Sequence, residues 1–168
     1  PSKVVHHESQ SKMRTGMILQ IKRTGSIEVP LPVYKTGGSV GLDLFAAIPH
    51  PIRLRPGDRV AVPVGFAMAI PTGFEGQVRA RSGLSRHHGI TLVNGVGTID
   101  SDYRGPISVS LINLAPWSFW GRNTYDLQPG ERFAQLVICP IQHVELTLVE
   151  ELSETERGSA GFGSTGSS

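Results

Sequence analysis

Glycine and proline are so frequent in this chain that long helices are not expected. The 168 residues contain 20 Gly and 12 Pro, and these residues interrupt regular elements wherever they fall. Between them apolar and polar residues mostly alternate, as Ile107, Val109 and Leu111 do with Ser108 and Ser110. Alternation places the apolar side chains on one face of a strand. The sequence therefore predicts an all-β fold, as a sandwich or barrel with strands at regular spacing.

The individual elements are predicted to be short. The segments with strand-like patterns are residues 17–21, 52–54, 60–64, 66–70, 77–81, 107–114, 133–138 and 144–149. One short helix is predicted over residues 82–88, with Ser82 as its N-cap.

The chain divides into three parts by composition. Residues 1–16 are polar without periodicity, which predicts a flexible tail outside the fold. Residues 17–156 are predicted to form one β-domain. Residues 157–168 are rich in Gly and Ser and are predicted to form a separate C-terminal arm that closes over the active site.

Charge and composition exclude several classes of function. The net charge is +2, and the Lys and Arg residues form no stripe, so no nucleic-acid interface is predicted. No apolar run approaches the ~20 residues that span a bilayer. The single cysteine, Cys139, excludes an internal disulfide and predicts a reducing, cytoplasmic compartment.

Three segments carry residues suited to chemistry. In DSDYRG (residues 100–105), a carboxylate could accept a proton from water, or the segment could be a charged turn with Arg104 paired locally. In RSGL (residues 81–84), a helix start could bind an anion or simply form a capped turn. In RGSAGFGSTG (residues 157–166), an Arg, free amides and hydroxyls could cradle phosphate, and Phe162 argues against a plain flexible tail.

Taken in order, these segments resemble the motifs of the trimeric dUTPase family. The matching segments are VGLDLFA (residues 40–46), GQVRARSGLS (76–85), NGVGTIDSDYRG (94–105), GERFAQL (130–136) and RGSAGFGSTG (157–166). The resemblance implies a jelly-roll-like homotrimer whose active sites are shared between subunits. It also implies hydrolysis of dUTP to dUMP and diphosphate with Mg²⁺, which limits uracil in DNA and supplies dUMP for dTMP synthesis.

The resemblance assigns roles around the uracil and the attacking water. Asp100 is implied to activate the water. Tyr103 is implied to lie against the deoxyribose, where it leaves no room for a 2′-hydroxyl. The hairpin that reads uracil is implied to include Asn94, Gly97, Thr98 and Ile99.

The remaining roles concern the triphosphate. Phosphate contacts are implied for Arg81, Ser82, Gly83 and Gln135. Asp43 is implied to support the Mg²⁺ site through water, while the metal is held mainly by the substrate phosphates. In the arm, Phe162 is implied to stack on the uracil, and the residues implied to close over the substrate are Arg157, Gly163, Ser164 and Thr165. Ala160 replaces a Gly that is usual in this motif.

Two alternatives remain at this stage. A dCTP deaminase-related enzyme would need a general acid or base beside the C4 amino group, and the hairpin contains no Glu to serve. A non-enzymatic β-sandwich protein would be expected to have lost the residues at the catalytic positions. Those positions are intact at Arg81, Asp100, Tyr103, Gln135 and Phe162.

Overall fold

Short antiparallel strands build nearly all of the regular structure in this protein. The computed structural model describes residues 16–117 and 123–161. The strands in these ranges are β1 (Gln20–Arg23), β2 (Leu42–Phe45), β3 (Ile52–Leu54), β4 (Arg59–Pro63), β5 (Phe66–Ala69), β6 (Phe74–Ala80), β7 (Ile90–Leu92), β8 (Gly97–Ile99), β9 (Ser108–Asn113), β10 (Tyr125–Leu127) and β11 (Arg132–Pro140). One helix, α1 (Ser82–His88), follows β6. The predicted all-β fold with one short helix is confirmed.

The strands form two larger sheets and two strand pairs. The first sheet has the order β2-β11-β6-β8 and the second the order β4-β9-β7, while β1 pairs with β5 and β10 with β3. Their inward faces share one apolar core, in which Phe66, Phe133, Leu111 and Leu136 are almost fully buried. Alternation in β9 buries Val109 and Leu111 and leaves Ser108 and Ser110 exposed, as predicted. Within the described ranges, no helix is long and apolar enough to span a membrane.

Several predicted boundaries need correction. The first strand begins at Gln20 rather than at residue 17, and its register is set by pairing with β5. The N-cap of α1 is Arg81 in an extended conformation, so Ser82 as N-cap was wrong. No side chain caps this helix start, and the helix ends at Gly89, whose φ of 69° is left-handed. A side-chain cap was expected from residue type alone, which does not fix where the chain turns into the helix.

The strand predicted over residues 144–149 was wrong. This stretch forms no strand in the structure, and Leu146 and Leu148 are 90% and 100% exposed. Its sequence alternates as a strand does, but a strand also needs a neighbouring backbone to pair with. No described strand of the same chain lies beside it.

Candidate active site

The first group of predicted site residues meets where β2, β6 and β11 lie side by side. Asp43 in β2 pairs with Gln135 in β11, and Arg81 directly follows β6. Together with Ser82 and Gly83, these residues line an open cleft of about 320 Å³, named here the Arg81 cleft. The structure therefore brings together the residues that the resemblance assigned to phosphate and to Mg²⁺.

Asp43 organises the charges of the Arg81 cleft. Its Oδ2 accepts a hydrogen bond of 2.9 Å from Nη1 of Arg132, and its Oδ1 lies 3.5 Å from Nε of Arg81. Nη1 of Arg81 donates to the backbone oxygen of Arg132 at 2.7 Å. Because the Asp43 side chain is only 17% exposed, this charge-assisted contact holds the two guanidinium groups at the wall of the cleft.

Sequence reasoning missed Arg132. The residue lies inside the GERFAQL segment, three positions before Gln135, so its presence in a motif was visible. Its partner Asp43 is 89 residues away, however. Only the pairing of β11 with β2 makes them neighbours, and that pairing includes a register shift between Arg132 and Ala134.

The Gln135 side chain is also held in place. Its Nε2 donates to the backbone oxygen of Ala80 at 3.0 Å. On its other side lies Gly41, where an added Cβ would come within 3.2 Å of the Gln135 Cδ. The small residue at position 41 therefore leaves the space that the amide occupies. This fixes a neutral hydrogen-bonding group beside the two arginines.

A second group of predicted residues lies at the other end of the first sheet. Thr98, Ile99, Asp100 and Tyr103 line a cleft of about 230 Å³, named here the Asp100 cleft. A smaller neighbouring cavity of about 120 Å³ is lined by the same stretch of chain, with Asn94 and Gly97 among its residues. Because β8 is the edge strand of its sheet, one side of its backbone faces away from β6. Backbone groups on that side are placed to bind a ligand.

The two strands on either side of residues 94–96 do not pair with each other as the predicted hairpin requires. β7 precedes residues 94–96 and pairs with β9, whereas β8 follows them and pairs with β6. The two strands therefore belong to different sheets, and residues 94–99 form one edge of a cleft rather than a closed ladder. A two-strand hairpin was expected from the local sequence, which does not specify the partner of each strand.

The Tyr103 side chain is held by contacts with neighbouring residues, whereas the Asp100 side chain is exposed. The Tyr103 hydroxyl donates to the backbone oxygen of Pro106 at 3.0 Å. Its ring lies over Gly105, where an added Cβ would come within 2.6 Å of Cζ. The Asp100 side chain is exposed at the end of β8, and its carboxylate makes no hydrogen bond to other described residues. The carboxylate is thus free to accept a proton from water.

The two clefts are separated within one chain. Ile99 pairs with Gly76 at the beginning of β6, whereas Arg81 follows Ala80 at its other end. The five residue-to-residue steps from Gly76 to Arg81 span about 17 Å at the usual rise of a strand. Asp100 and Arg81 of the same chain are therefore too far apart to contact one phosphorus atom.

Behind the Arg81 cleft, Tyr125 and Glu131 tie β10 to the turn that leads into β11. The Tyr125 hydroxyl donates to the Glu131 carboxylate, and the other carboxylate oxygen accepts from the backbone N–H of Gln128 at 2.9 Å. Burial raises the pKa of Tyr125, and the hydrogen bond to Glu131 raises the pKa further. The phenol therefore stays protonated and keeps donating, which holds the turn before β11 in place.

The arm is only partly described. Arg157 is exposed, and its Nε donates to the backbone oxygen of Ala160 at 2.9 Å. This contact shapes a local turn that accommodates Ala160. The other predicted arm residues, Phe162, Gly163, Ser164 and Thr165, lie outside the described residues.

The residues present fit an indirectly held Mg²⁺ ion. In the described part of the chain, no three His, Cys, Asp or Glu side chains are grouped to bind a metal. Each Asp43 oxygen already faces an arginine, but each can still accept a hydrogen bond from a metal-bound water. Mg²⁺ commonly keeps several waters and binds through substrate phosphates. The donor set therefore suits an ion carried by a phosphorylated ligand.

Comparison with known proteins identifies a family. A sequence model of the dUTPase family matches residues 27–166. The deoxyuridine 5′-triphosphate nucleotidohydrolase of Desulfotalea psychrophila is 51% identical over 136 residues, which cover 81% of this chain and 87% of the relative. The enzyme of that name from Caulobacter vibrioides is 46% identical over 159 residues, which cover 93% of this chain and 99% of the relative.

Solved structures give the same result. A mutant dUTPase of Staphylococcus bacteriophage 80alpha, solved with dUpNHpp, has a TM-score of 0.79 at 28% identity, with 89% of this chain and 99% of that chain covered. A mutant dUTPase from phage phi11 of S. aureus has a TM-score of 0.70 at 26% identity, with 80% of this chain and 98% of that chain covered. The phi11 structure reveals the coordination of a structural Mg(II) ion in that protein.

Proposed function

Because the chain belongs to the dUTPase family, we propose that it is a dUTP diphosphatase, which hydrolyses dUTP to dUMP and diphosphate. This reaction limits uracil in DNA and supplies dUMP for dTMP synthesis. The observation that carries the proposal is the presence of two complementary half-sites, one cationic and one with an unpaired carboxylate. The cytoplasmic location predicted from the sequence is part of the same proposal.

The Arg81 cleft binds the triphosphate in this proposal. Guanidinium groups form strong, charge-assisted hydrogen bonds with phosphate oxygens. Arg81 is already oriented by Asp43, and Gln135 by Ala80 and Gly41, so little ordering is needed when the substrate binds. Mg²⁺ bound to the triphosphate, with Asp43 contacting it through water, would supply further stabilisation of the charge that develops on the phosphates.

The Asp100 carboxylate acts as the general base. It accepts a proton from the water that attacks the α-phosphorus, and no covalent intermediate is required. Ile99, which precedes it, is buried in the core. The backbone at Asp100 is thereby anchored while the carboxylate remains accessible.

The surroundings of Asp100 select the nucleoside. The free edge of β8 offers backbone groups to uracil, and the small cavity beside Asn94 and Gly97 leaves little space for the methyl group of thymine. Tyr103 is fixed by its hydrogen bond to Pro106 and lies against the deoxyribose. A 2′-hydroxyl would meet this ring.

The site is shared between the chains of a homotrimer. General-base catalysis needs Asp100 within hydrogen-bond reach of the attacking water, at roughly 3 Å, yet Arg81 of the same chain is about 17 Å away along β6. The Asp100 cleft of one chain therefore faces the Arg81 cleft of another, and the arm closes over both. Exposed Leu146, Leu148 and Leu152 further support assembly, because a large exposed apolar stretch commonly marks an interface.

Substrate selectivity tests this function. With dUTP, UTP, dTTP and dCTP assayed in parallel, we expect diphosphate release from dUTP at least about 100-fold more efficiently, in kcat/KM, than from the other three. Tyr103 would exclude UTP sterically, and the small cavity beside Asn94 and Gly97 would exclude dTTP. The check is diphosphate production at equal nucleotide and Mg²⁺ concentrations.

The same assay separates the alternatives. Ammonia release from dCTP would indicate a deaminase and contradict the proposal. Absence of any product from dUTP would indicate a non-enzymatic protein. Comparable kcat/KM for UTP and dUTP would refute the role given to Tyr103.

A further inference from the structure

Lys35 lies at the wall of the Arg81 cleft but outside every segment that resembles a family motif. The cleft is lined by Lys35 and Ser39 in addition to the residues already described. The side chain of Lys35 is exposed, so its ammonium group can reach a ligand in the open cleft. The position is a candidate because it adds a cation where the proposed substrate carries its charge.

The backbone on both sides of Lys35 is fixed. Tyr34 forms an antiparallel bridge with Leu42 at the start of β2. After Lys35, Ser39 Oγ accepts from the backbone N–H of Thr36 at 3.0 Å, and Ser39 N–H donates to the Thr36 oxygen at 3.1 Å. Lys35 is therefore held beside the cleft, and only its side chain needs to adjust.

The one carboxylate in the wall of the Arg81 cleft pairs with only two of its three cations. Asp43 lies against both Arg81 and Arg132. Lys35 forms no ion pair with any residue in the described ranges. With three cations and one carboxylate along its wall, the cleft keeps a positive charge, and Lys35 is the cation that Asp43 does not offset.

We propose that Lys35 is a further phosphate-binding residue, which contacts the diphosphate end of the substrate and the diphosphate product. This inference rests on the proposed function. An ammonium group on a flexible stem acts as a compact point charge with three donors. It binds most strongly where the phosphate charge is greatest, at the terminal phosphate. Since this contact exists before and during the reaction, it affects KM more than kcat.

The test compares K35A, K35R and a matched control, K22A, in the full chain. Lys22 is also exposed, and it lies in β1 away from the Arg81 cleft. We expect K35A to raise KM for dUTP about five- to tenfold and to weaken binding of inorganic diphosphate, measured by calorimetry, by a similar factor. K35R should retain a KM for dUTP and an affinity for diphosphate close to those of wild type. K22A should change neither quantity. The effect of K35A should decrease as ionic strength rises, because salt screens an exposed charge.

The outcomes separate this inference from the proposed function. If dUTP is hydrolysed but K35A and wild type share the same KM and the same diphosphate affinity, Lys35 has no such role and the hydrolase assignment stands. Equal losses in K22A and K35A would reduce the effect to general surface charge and overturn the inference. If wild type binds diphosphate through Lys35 but does not hydrolyse dUTP, the binding role stands and the proposed function fails.

Discussion

Replacing Asp100 with Asn is expected to lower kcat for dUTP by about 100-fold or more, the usual loss when a general base is removed. The amide has nearly the shape of the carboxylate but cannot accept the proton of water. Asp100 is exposed, and its carboxylate makes no hydrogen bond to other described residues. The fold and dUTP binding should therefore persist in this variant.

Asp102→Asn provides the matched control. Asp102 is an exposed carboxylate two residues away, and it does not line the Asp100 cleft. Steady-state kcat for the two variants, with dUTP affinity from calorimetry and the melting temperature of each, distinguishes loss of chemistry from loss of structure. Near-normal turnover by Asp100→Asn would show that another group activates the water.

A chain that ends at Glu156 is expected to fold but to hydrolyse dUTP on the order of 100-fold more slowly, because the substrate is no longer enclosed and positioned. Residues 157–161 are all exposed, so their removal takes nothing from the core. Phe162 and the hydroxyls of Ser164 and Thr165 are lost at the same time.

The matched control for this truncation is a chain that ends at Gly166, which lacks only Ser167 and Ser168 and keeps the RGSAGFGSTG segment. Rates of diphosphate release at saturating dUTP, with unfolding curves for both truncated chains, provide the measurement. Full activity of the chain that ends at Glu156 would mean that the arm is only a tail.

The sequence was informative for features that depend on residues close to one another along the chain. Gly and Pro spacing and local alternation predicted the all-β fold, and the pattern of β9 was confirmed residue by residue. The same local signal predicted a strand at residues 144–149, because alternation shows only that a segment could pair. Whether a partner exists is a property of the whole fold. Strands β7 and β8 were not predicted individually, because their pairing with β9 and β6 is likewise set by the whole fold.

The candidate site shows the same limit. Residues 81–83 and Gln135 were grouped by their resemblance to motifs, and the structure places them together in one cleft. Arg132 was missed because its contact with Asp43 depends on the pairing of β11 with β2. Lys35 reaches the same cleft from a loop that carries no motif. The separation of Asp100 from Arg81 also could not be foreseen, since it follows from the register of β8 on β6.

The central claim is that one active site combines Asp100 from one chain with the arm of another. The direct test is to co-express Asp100→Asn, which keeps its arm, with the chain that ends at Glu156, which keeps Asp100. In randomly mixed trimers each site has about a one-half chance of an intact base and, independently, about a one-half chance of an intact arm, so about a quarter of wild-type activity should return. Native mass spectrometry must first verify that mixed trimers form. Mixed trimers that recover no activity would contradict the shared site, because base and arm would then come from the same chain.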